Sequence, residues 1–247
     1  MLSVLVFLVG CDLGMSFAEV QEIDTVEAYE QYLTDNPGGS HTFPIEKRLE
    51  ELYFTGAQTA GTVEIWRAYH ARFPKSPNRD RALKELAFAS YAAAVKANTV
   101  DDYKAFLDEF SKIDPRLRTK AQGRVAVLEY GALNLGEAVV TQVNMAEDPK
   151  GELNGWGVTV EVTNGGTKVL PFVSLTVDYL ADDGRMLDTK DYPLVSPTWT
   201  LPATEAQKAP MQPGDMRTWL WTEGVGSVPA DWHQKVRVTA TGLRAEP

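Results

Sequence analysis

The chain has 247 residues, 44% of them hydrophobic, with 24 basic against 34 acidic side chains for a formal net charge of −10. That balance excludes the basic footprint with which nucleic-acid-binding domains neutralise phosphates, so no nucleic-acid partner is expected. The length suits one or two domains, and a single cysteine, Cys11, leaves no disulfide within the chain.

The apolar run Leu2 to Val9 is too short to span a bilayer, which takes about 20 residues. Read from the residues alone, it is either a short apolar element of a fold or part of an export signal. Its end, Leu8-Val9-Gly10-Cys11, resembles the lipobox of bacterial lipoproteins. The resemblance implies that residues 1–10 form a signal peptide and that Cys11 becomes a lipidated N-terminus. Residues 11–22 would then be a tether holding the protein to a bacterial membrane, facing the periplasm. Acyl chains in plural make a stable anchor where one does not.

A repeat follows. Thr25-Val26-Glu27, Thr62-Val63-Glu64 and Thr99-Val100-Asp101 are spaced by 37 residues. Tyr29, Trp66 and Tyr103 share one position of the repeat, and Tyr32, Tyr69 and Phe106 share another. With the valines they fall at i, i+3 and i+6, one apolar face of a helix. Asp24, Gly61 and Asn98 stand where an N-cap is expected, with a carboxylate three residues on. Pro37 and Pro74 end the first two helices, and Ser111 takes that place in the third. A second helix is expected after each stop, with apolar positions Ile45, Leu49 and Leu52, then Leu83, Leu86 and Val95, then Val125 and Leu128. Tyr69-x-x-x-Phe73-Pro74-x-Ser76-Pro77 resembles degenerate tetratricopeptide-like repeats of bacterial envelope proteins. The expectation is a three-unit helical array over residues 23–134.

Near Asn134-Leu135-Gly136 the period changes from 3.6 to 2. Trp156, Val158, Val160 and Val162 alternate with small or polar residues, as do Val173, Leu175, Val177 and Tyr179, each the pattern of a strand with one buried face. Asn164-Gly165-Gly166 and Asp183-Gly184 read as turns. Arg185 to Tyr192, Met216 to Trp221 and Lys235 to Leu243 supply further strands, with a loop from Ser196 to Gln212. Val162-Thr163-Asn164-Gly165 and Met211-Gln212-Pro213-Gly214-Asp215 resemble the FxLYD-type immunoglobulin-like domains of secreted bacterial proteins. The expected fold class is therefore α+β and multidomain: an all-α helix-turn-helix array, then an antiparallel β-sandwich over residues 135–247.

Chemistry is harder to find. His41, His70 and His233 stand apart, with no metal-spaced pair. No nucleophile elbow or phosphate loop appears. The acidic group Asp178, Asp182, Asp183, Asp188 and Asp191 admits a calcium reading or a turn reading, and the turn reading is preferred. No catalytic residue, metal or cofactor is expected, and the chain is read as a non-enzyme. On β-alternation Trp219 and Trp221 share a face with Arg217, opposite Met216, Thr218 and Leu220. If exposed, the three are a binding site of interface composition; if buried, they are core, the preferred reading. The expected function is a membrane-anchored protein- or peptide-binding scaffold. The alternative is a carbohydrate- or peptidoglycan-binding β-sandwich with the helices as spacer.

Overall fold

A computed structural model describes residues 14–145, 154–198 and 205–246. The fold is mixed α+β, and it divides into two compact units, Met1–Ser90 and Tyr91–Pro247. Cys11 lies outside the described residues. So does the expected signal peptide.

The first unit holds α1 (Phe17–Ile23), α2 (Val26–Asp35), α3 (Thr42–Ala60), α4 (Val63–Arg72) and most of α5 (Arg79–Ala97). The expected tether is helical from Phe17, because Ser16 and Glu19 close a capping box in which each side chain meets the other's backbone N–H. The aromatic stripe is core, with Tyr29, Tyr32, Trp66 and Tyr69 all buried. Ile45 and Leu49 of α3 complete the cluster around Val20, Tyr29 and Tyr32.

Helix starts fall one residue later than the sequence suggested. Thr25, Thr62 and Thr99 are the N-caps, and their side chains accept from the N–H groups of Ala28, Ile65 and Asp102. Asp24, Gly61 and Asn98 instead end the preceding helices, at φ of 49°, 62° and 55°. Each donates its N–H to the carbonyl four residues back, on Val20, Ala57 and Ala94. Only residue types that tolerate the left-handed region fit there, so two adjacent positions turn one helix directly into the next. The alanines of α5 also redistribute burial: Ala82, Leu86, Ala87 and Ala94 are buried while Val95 is exposed.

Among its described residues the second unit contains α6 (Val100–Phe110), α7 (Pro115–Tyr130) and the strands β1 (Leu133–Leu135), β2 (Val139–Val143), β3 (Gly155–Asn164), β4 (Phe172–Leu180), β5 (Met186–Val195), β6 (Met216–Gly224) and β7 (Lys235–Arg244). One antiparallel sheet places β3 between β6 and the pair β1 and β2; the other runs β5-β4-β7. Val160, Val162 and Trp219 of the first sheet share a core with Val173, Leu175, Val177 and Tyr179 of the second. The alternation read from the sequence therefore names the buried faces. Strands β1 and β2 were not anticipated, nor was the short helix α8 (Glu205–Lys208) inside the expected loop.

The period change at residue 134 is not where the compact units divide. That division falls inside α5, and α6 and α7 belong with the strands. The reason is visible at Gly123, where a Cβ would stand 2.2 Å from the Thr241 carbonyl oxygen. Without a side chain there, α7 lies directly on β7. Arg124 then donates to the Ala240 carbonyl at 2.8 Å, and Lys120 pairs with Asp191 at 2.8 Å. On α7, Val127 enters the shared core, while Val125 and Leu128 are half-buried.

Candidate functional site

The three sequence-nominated residues do not form an exposed platform. Trp219 is 2% exposed, in register with Val160, and Trp221 is half-buried beside Val158. Tyr192 packs on both, at ring separations of 5.6 and 4.3 Å. The guanidinium of Arg217 donates to the Ala209 and Pro210 carbonyls at 2.8 and 2.9 Å. Burial of this face leaves Met216 and Leu220 as the exposed hydrophobes of β6. The apolar core between two sheets claims the larger rings, so an exposed aromatic surface for sugar stacking is lost here.

The acidic group disperses into local roles. Asp178 pairs with Arg237 at 2.7 Å and accepts from Thr189. Asp183 accepts from the Arg185 N–H, and Asp188 from that of Thr189. Asp182 meets His233 at 2.7 Å on an exposed loop rather than in a cleft. Among the described residues no group of three or more His, Cys, Asp or Glu side chains is placed to hold a metal ion.

A different feature emerges on the first unit. Between Arg67 and Lys84 the sequence carries six cations, Arg67, Arg72, Lys75, Arg79, Arg81 and Lys84, against one carboxylate, Asp80. All six are exposed. They run from the end of α4, across the Phe73-Pro74-Lys75-Ser76-Pro77-Asn78 turn, into α5. Arg72 in the last turn of α4 and Asp80 in the first turn of α5 each favour the helix dipole they face. Whole-chain charge concealed this cluster; a running charge count along the sequence would have found it.

The turn is held by a buried carboxylate. Glu50, on α3, is 7% exposed. Its Oε1 accepts from Tyr69, from Ser76 Oγ at 2.7 Å and from Asn78 Nδ2 at 3.0 Å. Ser76 Oγ also accepts from the Asn78 N–H at 2.9 Å. Burial pushes the Glu50 carboxyl up, but the hydrogen bonds from Tyr69, Asn78 and Ser76 outweigh it and hold its pKa below the ordinary value of 4.5. The same burial, with the carboxylate beside it, pushes Tyr69 up to about 12. So α3, α4 and the turn are fastened through one oxygen, and Lys75 and Arg79 project from a fixed backbone. Arg72 reaches Glu30 at 3.3 Å, and Arg81 lies 5.0 Å from the Phe54 ring centroid.

A folded-state pKa below the unfolded one means stability present above about pH 4.5 and lost as pH falls through the lower folded value. Glu50→Gln is therefore expected to reduce stability at pH 7 and to flatten the acid limb of a urea-midpoint profile. A variant whose profile already superimposes on the wild type at pH 7, or lies below it by an amount that does not shrink as the pH falls below 4.5, would show that the Glu50 carboxylate does not fasten the turn.

Elsewhere in this unit, Arg48 grips Asp24 through two nitrogens, at 2.6 and 2.8 Å. The pair borders a cavity of about 260 Å³ with Phe17, Tyr29 and Ile45. The Arg48 hydrogen bonds hold the Asp24 carboxyl at about 2. Both charges of that pair are spoken for.

No family model matches the chain, and no curated protein matches it. Similarity to solved structures is low. The alkylpurine DNA glycosylase AlkC of Pseudomonas fluorescens, bound to DNA containing an abasic-site analogue, is 10% identical at a TM-score of 0.37, over 89% of this chain and 62% of its own. The ApaA protein of Bordetella pertussis is 11% identical at a TM-score of 0.24, over 46% of this chain and 90% of its own. A structural-genomics target is 7% identical at 0.26, over 47% and 86%. Likeness at this level transfers no chemistry. One expectation is withdrawn: the reading of the chain as a non-enzyme rested on missing motifs alone, and missing motifs decide nothing about activity.

Proposed function

We propose that the protein is a bacterial envelope lipoprotein, anchored through Cys11, whose helical unit is a docking scaffold for a protein or peptide partner. In this reading the helix pairs α2–α3, α4–α5 and α6–α7 are three degenerate tetratricopeptide-like repeats, and the two sheets are an immunoglobulin-like β-sandwich. The 37-residue period, with equivalent threonine caps at each copy, supports the repeat assignment. The shared core of the two sheets supports the sandwich. Membrane attachment in this reading rests on the Leu8-Val9-Gly10-Cys11 motif. One observation carries the docking role: six exposed cations on α4, α5 and the turn between them, a turn that Glu50 fastens, in a chain of net charge −10. Charges carried on a fastened backbone lose less entropy on binding than charges on a mobile loop.

The test is crosslinking in intact cells, followed by membrane fractionation and mass spectrometry of the captured species. Partner crosslinks are expected to map to residues 67–84, and the mature N-terminus to carry a lipid mass. The triple variant Lys75→Glu, Arg79→Glu, Lys84→Glu should keep its helical signal and lose at least about tenfold in capture, since reversed charges at a rim repel an acidic surface. Undiminished capture, or crosslinks confined to the sheets, would reject the scaffold role of the helices.

A further inference from the structure

The edge where β5 faces β6 holds a lysine in an unusual setting. Lys190 lies opposite Val177 in the sheet register, on the inward face of β5. Its side chain is only 26% exposed, and that of Glu223, its partner on β6, only 14%. The Nζ stands 2.7 Å from Glu223 Oε2 and donates to the Ser227 carbonyl oxygen at 2.8 Å. It also lies 5.6 Å from the Tyr179 ring centroid and 5.7 Å from that of Trp221. Tyr192 donates to the other oxygen of Glu223 at 3.2 Å, fixing the carboxylate. Tyr179 is fully buried, its ring packed on Trp221 and Trp232.

These are the parts of an ammonium receptor. The Ser227 carbonyl takes one of the three N–H bonds of a primary ammonium, the Glu223 carboxylate faces its charge at 2.7 Å, and two aromatic faces lie within the roughly 6 Å over which a cation is attracted. We propose that Tyr179, Trp221, Glu223 and the Ser227 carbonyl form a binding site for a primary alkylammonium group, filled in the native chain by the chain's own Lys190. The two short oxygen contacts set the class. A quaternary ammonium has no N–H to give the Ser227 carbonyl, and its methyl groups hold its charge farther from the Glu223 carboxylate than the 2.7 Å seen here. The tether makes Lys190 a ligand at high effective concentration, so the native site is closed to free amines. An amine on a flexible arm, such as a lysine of another polypeptide, has the chemistry to replace it.

Removing the tethered ligand exposes the site. Lys190→Ala deletes the equivalent of n-propylammonium and leaves the cage intact. That variant is expected to melt lower than wild type, and n-propylammonium should restore at least half the lost melting temperature, saturably, with a change in tryptophan fluorescence. Tetramethylammonium should bind at least about tenfold more weakly, for want of the charge-assisted hydrogen bond to the Ser227 carbonyl and of close approach to Glu223, and sodium at equal ionic strength should do nothing. Wild type, Lys190→Met and the double variant Lys190→Ala, Glu223→Gln should show no saturable shift. If Lys190→Ala does not fold, recovery of its sheet signal on adding n-propylammonium supports the site, and no recovery overturns it. Equal shifts with n-propylammonium and sodium, or a shift that survives loss of Glu223, would reduce the pair to an ordinary ion bridge between sheets.

Discussion

Asn164→Ala is expected to cost about 3 kcal/mol, because one buried side chain makes five hydrogen bonds to three separate segments. Asn164 is fully buried at the end of β3. Its Nδ2 donates to the carbonyls of Lys168, Met211 and Gln212 at 2.9, 3.3 and 3.1 Å. Its Oδ1 accepts from the Tyr130 hydroxyl at 2.6 Å and the Gly166 N–H at 3.3 Å. One amide thus joins the end of α7, the β3–β4 turn and the segment leading into β6. Lys168 and Gln212 are exposed and can regain water, and the buried Met211 carbonyl still accepts from the Leu170 N–H at 2.9 Å, which keeps the estimate from being larger. Asn164→Asp is the sharper test. It keeps the shape but turns a donor into an acceptor facing three carbonyls, so it should be at least as damaging at pH 7 and partly relieved in acid, where the carboxyl regains a proton. Urea unfolding followed at the β-sheet signal measures both. An Asn164→Ala variant within about 0.5 kcal/mol of wild type, the usual range for an inert surface change, would mean the network is dispensable.

The sequence named Asn164 only as part of a turn, and that pattern of partial success has physical causes. Periodicity reports which face of an element is apolar, so Val173, Leu175, Val177 and Tyr179 were legible as one buried face, and all four are fully buried. It does not report what covers that face. Helices α6 and α7 have the helical period, yet they belong with the strands, because Gly123 permits contact between α7 and β7; a single glycine within a helix carries no such message in sequence. Strands β1 and β2 are short, and Thr141-Gln142 interrupts any apolar run, so alternation had too few residues to register. The capping offset was missed because Asp, Gly and Asn suit an N-cap and a left-handed terminus alike. Polar function was the least legible. Glu50 looks like any solvated helix carboxylate until Tyr69, Ser76 and Asn78 are seen to converge on it. Lys190 is unremarkable in a strand until Glu223, distant in sequence, arrives from the other sheet.

Trp66→Ala is expected to be the most damaging single truncation in the first unit, at about 3–5 kcal/mol, the range for deleting a buried large aromatic side chain. Trp66 is 2% exposed. Its ring meets Phe54 of α3 edge-on at 5.5 Å and Tyr69 of its own helix at 6.0 Å, and Phe54 in turn meets Tyr69 at 5.5 Å. Three aromatic rings thus brace one another, and loss of the central one leaves a cavity that α3 and α4 cannot close without moving the Glu50 fastening. Tyr29 holds the equivalent repeat position and is equally buried, but its hydroxyl reaches Asp24 at 3.0 Å near a helix end, where the backbone can relax. Tyr29→Ala should therefore cost less than Trp66→Ala. A urea melt of the intact chain, read at the helical signal, compares the two. If Tyr29→Ala proves the costlier, the shared 37-residue register does not rank the packing, and the stability of the helices rests on the α1–α2–α3 cluster instead. If Trp66→Ala is the costlier and also shifts the acid limb assigned to Glu50, the aromatic core and the cationic turn are one mechanical element. A docking surface built on that turn would then owe its geometry to a tryptophan that no partner touches.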